Sequence, residues 1–134
     1  MSEPGIGACA QARLRVGAAD LANALSPEAG DTFPPVFATS RMIALMEIAS
    51  SRLLFPLLQP GELSVGVTVD VAHTAATPHG EDVTATARYL GREGKLYVFE
   101  VEASDRGGEI GRGTHKRAIV SGERLVAGAK KRTG

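Results

Sequence analysis

The sequence predicts a two-layer α+β domain in which an antiparallel sheet packs against one long apolar helix. Two patterns support this prediction: a helical apolar stretch begins at Thr39, and four segments of alternating apolar residues follow Gly61. A chain of 134 residues is of single-domain size. We therefore expect one domain over residues 1–134, with flexible tails at residues 1–8 and 127–134.

The helix is the clearest predicted element. Thr39 is a suitable N-cap residue, and the helix should end before Pro56 because proline cannot continue it. At about 100° per residue, Arg41 and Arg52 share one stripe and Glu47 lies nearly opposite, among apolar neighbours. A helix that is apolar on most sides is usually buried, so we expect Glu47 to lie inside the domain.

Strand patterns occupy most of the remaining chain. Alternating small or apolar and polar residues over 10–16 predict a first strand, and the proline-containing segment 18–35 predicts an irregular loop with a helical turn near 20–25. Three further strands, joined by short turns, are predicted after the strand that ends at His73, which together give an antiparallel meander. Their inward rows are Val83, Ala85, Ala87 and Tyr89 in one strand and Tyr97, Phe99, Val101 and Ala103 in the next.

The strand before His73 has two distinct faces in the simple alternating pattern. One row is apolar and continues into His73, and the other is small or polar. The apolar row is Val65, Val67, Val69 and Val71, and the other is Ser64, Gly66, Thr68 and Asp70. The pattern therefore predicts that Gly66 and His73 face opposite sides of the sheet.

Composition excludes several classes of function. The 15 basic residues balance the 15 acidic ones, which does not favour a nucleic-acid partner. The apolar run over 42–58 is interrupted by charges and a proline, so we expect no membrane span. A single cysteine, Cys9, allows no internal disulfide and suits a cytoplasmic protein, and no secretory signal is apparent.

Three side chains are candidates for catalysis. An inward carboxylate such as Glu47 needs a charged partner or a chemical task, and it could instead form a structural ion pair with an arginine. His73 at a strand end suits proton transfer, although an inward histidine can equally be a hydrogen-bonded core residue. Thr39 can cap the helix and also stand beside amides that bind an oxyanion.

The last strand carries a second polar group whose interpretation is open. His115 is expected to make a structural hydrogen bond near a sheet edge. Arg117 and Lys116 could bind an anionic ligand, or they could be the exposed charges that commonly protect an edge strand. No spacing of residues indicates a metal site, a P-loop or a dinucleotide fingerprint, so no metal or cofactor is expected.

Several of these motifs, taken in order, resemble the hotdog-fold thioesterases of the fluoroacetyl-CoA thioesterase type. The resemblance covers residues 33–117 and is carried by four pieces: Val36-Phe37-Ala38-Thr39, Leu45-Met46-Glu47, His73-Thr74-Ala75-Ala76-Thr77-Pro78 and Gly113-Thr114-His115. It implies an antiparallel sheet wrapped around a central helix, a homodimer that could pair further into a tetramer, and acyl-CoA bound near the dimer interface. Coenzyme A would be part of the substrate, with no separate cofactor.

The resemblance also assigns roles. Thr39, Glu47 and His73 match the family's catalytic residues. Gly66 matches a position where the backbone approaches the acyl group, and Phe33 matches an aromatic of the lid. Three residues before Phe33, where a second lid aromatic is expected, the chain has Gly30. The implied function is hydrolysis of a small acyl-CoA, with an altered acyl range.

Two alternatives stay open at this point. The first is an enoyl-CoA hydratase or dehydratase on the same fold, although the Asp–His helix motif expected for it is absent. The second is an acyl-CoA binding module that does not turn its ligand over.

Overall fold

A computed structural model describes residues 3–134 and shows a five-stranded antiparallel sheet curled around one central helix. The strands are β1 (Cys9–Arg15), β2 (Glu62–His73), β3 (Asp82–Glu93), β4 (Leu96–Asp105) and β5 (Gly108–Ser121). The helices are α1 (Thr39–Leu54) and α2 (Gly122–Thr133), with short 3-10 turns at Ala18–Asp20, Ala22–Leu25 and Phe55–Leu57. The predicted α+β class and the wrapped helix are confirmed.

The core lies between α1 and the concave side of the sheet, because α1 packs against all five strands. The inward rows predicted for β3 and β4 are fully or nearly fully buried, as are the helix residues Met42, Met46, Ala49 and Leu54. Gly111 of β5 allows this close packing, since a Cβ atom there would lie 2.6 Å from the Met42 sulfur. Of the two helices in residues 3–134, neither is long and apolar enough to cross a bilayer.

The strand order is β1-β3-β4-β5-β2, which differs from the predicted meander in the place of β2. Strands β3, β4 and β5 are consecutive neighbours, but β2 pairs with β5 and not with β3. The reason is that β1 already occupies the free edge of β3, so β2 can pair only at the opposite edge of the sheet. Strand β5 is therefore an interior strand, and β1 and β2 are the edges.

A β-bulge at Val67 overturns the predicted faces of β2. Gly66 is paired with Arg117 and Thr68 with Lys116, which leaves Val67 without a partner on β5. Because a bulge inserts one residue, it reverses the alternation beyond it. Directly paired residues share a face of the sheet, and His73 pairs with Gly111, which faces the helix. Gly66 and His73 therefore lie on the same, helix-facing side.

The C-terminus also differs from the expected flexible tail over residues 127–134, because α2 extends through Thr133. The Ser121 side chain caps this helix by accepting a hydrogen bond from the amide of Arg124. Glu123 in the first turn and three basic residues in the last turn match the helix dipole. In the other predicted tail, the described residues 3–8 precede β1, and residues 1–2 lie outside the described chain.

Candidate active site

Thr39 and His73 meet at the N-terminus of α1. The Thr39 Oγ1 atom lies 2.7 Å from His73 Nδ1. The segment before the helix is held in place by the connection after β2, since the amide of Phe37 donates to the carbonyl of Thr77. The amide of Ala38 donates to the carbonyl of Asp20, in the segment after β1. The first bond holds the start of α1 beside the connection that follows β2, and the second ties it to the segment that follows β1.

The prediction that Thr39 caps the helix is wrong. The N-cap residue is Ala38, Thr39 is the first helical residue, and no side chain makes the capping hydrogen bond. The Thr39 hydroxyl is bonded to His73 instead. Among residues 3–134, no hydrogen-bond acceptor is found for the amides of Thr39 and Ser40, so the helix start keeps donors that can bind a negatively charged oxygen.

His73 is only partly exposed, and its environment favours the neutral ring. Burial lowers the pKa of His73 below the ordinary value of 6.5, a shift that the nearby backbone carbonyl of Ala75 opposes because it favours the protonated ring. Its Nε2 atom is buried and has no hydrogen-bond partner within the described residues. A neutral imidazole with one nitrogen on a hydroxyl and the other free can carry out proton transfer.

An open cleft of about 360 Å³ leads to this pair. Its lining includes Phe33, Thr39 and His73, together with Pro34, Val36 and Ala75. A second, more apolar pocket of about 270 Å³ adjoins it and is lined by Leu25, Phe33, Ala38 and Thr39 among others. Phe33 is half exposed and borders both cavities, as a lid residue would.

Glu47 lies in a different cluster, in the middle of α1. Its Oε2 atom accepts a hydrogen bond from Arg117 Nη1 at 2.8 Å. The expectation that Glu47 is enclosed is corrected, because its side chain is 39% exposed in the protomer. The exposure arises because the neighbouring inner-face positions of the edge strand are Gly66, which has no side chain, and Ser64. Arg117 is thus the cation that pairs with Glu47, and a pairing of Glu47 with an arginine was one of the two alternatives that the sequence left open.

Gly66 fits closely against this carboxylate. A Cβ atom built on Gly66 would lie 2.4 Å from Glu47 Oε2 and 3.2 Å from His115 Cε1. Any side chain at this position would displace Glu47. The glycine therefore permits the carboxylate to reach the sheet surface, and the bulge at Val67 is what turns Gly66 toward it.

Arg117 is buried, with 6% of its surface exposed, and is not an exposed charge of an edge strand. Besides Glu47, its guanidinium donates to the side chain of Ser64 at 3.0 Å and to the Ser64 carbonyl at 2.9 Å. It also contacts His115 Nε2 at 3.1 Å. Strand β5 is interior, which is why sequence reasoning that placed these residues at an edge misjudged their burial.

The structure thus places the predicted site residues in two groups. Thr39, His73 and Phe33 lie at the start of α1, and Glu47, Gly66 and Arg117 lie at its middle. Thr39 and Glu47 are eight residues apart, which corresponds to about 12 Å along a helix axis. His73 and Gly66 are seven residues apart on β2, roughly 20 Å along a strand. Glu47 makes no hydrogen bond to Thr39 or His73 in the described chain.

A curled antiparallel sheet around one long helix is the fold of the hotdog thioesterases, and comparison with known proteins places the chain in that class. Residues 16–123 match the sequence model of a family described as fluoroacetyl-CoA-specific thioesterase. The fluoroacetyl-CoA thioesterase of Streptantibioticus cattleyicolor is 46% identical over 108 residues, which cover 81% of this chain and 77% of that protein. The chain belongs to the fluoroacetyl-CoA-specific thioesterase family.

Solved structures agree with this assignment. A variant of a fluoroacetyl-CoA thioesterase in complex with fluoroacetate superimposes with a TM-score of 0.90 at 39% identity, covering 96% of this chain and 98% of that one. A thioesterase superfamily member from Thermus thermophilus gives a TM-score of 0.87 at 27% identity, covering 99% and 96%.

Proposed function

We propose that this protein hydrolyses a small acyl-CoA thioester to the free acid and coenzyme A at a site that uses Thr39, His73 and Glu47. The observation that carries the proposal is the 2.7 Å contact between Thr39 Oγ1 and His73 Nδ1, beside a cleft at the start of a helix. A hydroxyl, a neutral imidazole and open helix amides are the groups that acyl transfer requires.

In the proposed mechanism, the thioester carbonyl oxygen faces the Thr39 hydroxyl and the first amides of α1. These donors stabilise the negative charge that forms on the oxygen during attack. His73, kept neutral by burial, accepts a proton at the reacting centre and returns it later. The thiolate of coenzyme A is a good leaving group, so little acid catalysis at sulfur is needed.

Glu47 supplies the carboxylate, which either attacks the carbonyl carbon or activates the attacking water. Attack would form a mixed anhydride on Glu47 with loss of the thiolate, and water would then release the acid and restore Glu47. Activation of water would transfer its proton to Glu47 as hydroxide adds to the carbonyl. A single turnover in ¹⁸O-labelled water separates the routes, because only the anhydride route can leave the label in the protein.

A homodimer would complete this site. Within one protomer, Glu47 lies about 12 Å of helix rise from Thr39, which is a long span for an acetyl-sized group. The helix-facing side of the edge strand β2 is open, with Val69 42% exposed and Glu47 39% exposed. Pairing through β2 would cover these groups and would place the Glu47 cluster of one protomer against the Thr39–His73 pair of the other. Assembly into a tetramer and a cytoplasmic location both stay predictions.

The acyl range depends on the lid. Nothing lies within 4 Å of a Cβ atom built on Gly30, three residues before Phe33. A Cβ atom could therefore be added there without a clash. In Gly30→Phe, we expect kcat/KM for two-carbon acyl-CoAs to rise about tenfold relative to kcat/KM for larger acyl-CoAs. The reason is that an added aromatic side chain near Phe33 would reduce the apolar space for the acyl group. Gly30→Ala is the matched control and should change little.

Thiol release from a panel of acyl-CoAs tests the proposed function. The panel runs from fluoroacetyl-CoA and acetyl-CoA through phenylacetyl-CoA to medium chains, with Glu47→Ala measured alongside. We expect release from small members that falls by orders of magnitude in the variant. Binding without release would indicate an acyl-CoA binding module, and hydration of an enoyl-CoA without thiol release would indicate a hydratase.

A further inference from the structure

His115 is a buried histidine of β5 that takes no part in the proposed reaction. Its side chain is 2% exposed, and it lies between Arg117 and the backbone of β2. His115 Nδ1 is 2.8 Å from the carbonyl oxygen of Thr68. A carbonyl oxygen can only accept, so the proton of this ring must be on Nδ1.

The other ring nitrogen, Nε2, must then act as a hydrogen-bond acceptor. Nε2 lies 3.1 Å from Arg117 Nη1, and a guanidinium nitrogen can only donate. Both contacts are satisfied together by the neutral ring that carries hydrogen on Nδ1 alone. A protonated ring would direct an N–H group at the guanidinium. Burial lowers the pKa of His115 and the charge of Arg117 lowers it further, whereas the hydrogen bond to the Thr68 carbonyl and the charge of Glu47 act in the opposite direction.

The alternative arrangement for this cluster is a direct charge pair between His115 and Glu47. His115 Nε2 and Glu47 Oε2 are 4.0 Å apart, which is beyond hydrogen-bond distance. Arg117 Nη1 is closer to each of them, at 3.1 Å and 2.8 Å. The arginine therefore mediates the contact between His115 and Glu47.

We propose that His115 is a positioning residue that sets Glu47 through Arg117. Arg117 Nη1 has two hydrogens, of which one bonds Glu47 Oε2 and the other bonds His115 Nε2. Ser64 holds the remaining Nε and Nη2 donors through its side chain and carbonyl. All four contacts fix the guanidinium plane, and His115 determines the direction of Nη1.

The bulge in β2 makes this arrangement possible. Val67 is left out of the pairing with β5, so Gly66 before it and Thr68 after it are adjacent in the ladder. Gly66 gives Glu47 room, and the Thr68 carbonyl fixes the His115 tautomer. From β4, Phe99 packs near the His115 ring with centroids 6.5 Å apart, and it brings no charge to the cluster.

The activity test compares His115→Phe with His115→Gln, and this arm depends on the proposed function. Phenylalanine keeps a ring but removes both hydrogen bonds, whereas glutamine keeps one donor and one acceptor. We expect kcat to fall about tenfold to a hundredfold in His115→Phe with little change in KM, and to stay within about threefold in His115→Gln. Equal kcat in His115→Phe and the unmodified protein would overturn the proposal.

A second comparison separates positioning from a general packing role. In an Arg117→Lys background the route from His115 to Glu47 is already broken, so His115→Phe should have little further effect on kcat. The same fold-loss in both backgrounds would show that His115 does not act through Arg117. Phe99→Leu is the packing control, and it should lower the unfolding temperature while leaving kcat nearly unchanged.

A spectroscopic test does not depend on enzymatic activity. The chain has three histidines, so ¹⁵N NMR of the imidazole nitrogens can be assigned with His73→Gln and His79→Gln variants. We expect His115 to be neutral with hydrogen on Nδ1 near pH 7. An imidazolium, or hydrogen on Nε2, would contradict the proposal. If no acyl-CoA is hydrolysed, the proposed function fails while this measurement still decides the tautomer.

Discussion

The start of α1 and its middle present two polar clusters of different character. At the start, Thr39 and His73 share one hydrogen bond beside an open cleft, and His73 Nε2 has no partner in residues 3–134. At the middle, Arg117 makes four contacts, which are shared among Ser64, Glu47 and His115. The first cluster has free groups for a reaction, whereas the second is a rigid support that holds one carboxylate. The comparison indicates that the proton-transfer group and the carboxylate are held by separate parts of the fold.

The largest expected effect comes from removing the reactive group of each cluster. His73→Ala and Glu47→Ala should each lower kcat for thiol release by about 10² to 10⁴, because each removes a group that acts on the reacting atoms. Glu47→Gln keeps the shape and removes the charge, so it is the matched control for Glu47→Ala. Activity that survives in Glu47→Ala but not in His73→Ala would confine the chemistry to the start of α1.

Gly66→Ala should have the next largest effect, and it acts only on the middle cluster. The added methyl group would lie within contact distance of Glu47 Oε2, at the flexible end of a side chain that can move away. We expect kcat to fall about tenfold while the unfolding temperature changes little. Gly30→Ala is the control, since nothing lies near a Cβ atom there. A loss of stability without a loss of activity would show that Gly66 serves only the fold.

The pH dependence of stability should show a smaller effect that involves both clusters. Burial lowers the pKa of His73 and of His115 from 6.5, so the unfolded chain binds protons at a higher pH than the folded protein does. This contribution to stability is complete above about pH 6.5 and is lost as the pH falls through the folded pKa values.

Thermal unfolding between pH 8 and pH 5 measures this contribution. His73→Gln and His115→Gln should each reduce the loss of unfolding temperature in acid. His79, exposed in the turn after β2, is the control, and His79→Gln should leave the profile unchanged. An unchanged profile in all three variants would contradict the assignment of neutral rings to His73 and His115.

Periodicity predicted the elements well because most of them follow simple alternation. The inward rows from Val83 to Tyr89 and from Tyr97 to Ala103 were identified from the sequence and are buried. Strand β2 was misread because a bulge has no composition signal of its own, and one extra residue at Val67 reverses the face of all that follows. Whether Gly66 and His73 lie on the same side of the sheet could not be predicted without knowing how β2 pairs with β5.

The candidate site was predictable in its residues more than in its arrangement. Thr39, Glu47 and His73 came from the resemblance and from their unusual settings, and their catalytic roles stay predictions. The contacts of Arg117 and His115 depend on β5 being an interior strand, which follows from long-range pairing. A histidine and an arginine two residues apart on a strand were a usable signal, because residues at that spacing share a face.

The measurement that tests the central claim most directly is complementation between two inactive variants. Thr39→Ala and Glu47→Ala are each purified, mixed, unfolded and refolded together, and assayed for thiol release. If each site takes Thr39 from one protomer and Glu47 from the other, mixed dimers contain one intact site, and the mixture should recover about a quarter of the unmodified activity. No recovery from a mixture that contains folded mixed dimers would show that each protomer uses its own Glu47, which would contradict a site shared between the two clusters of different protomers.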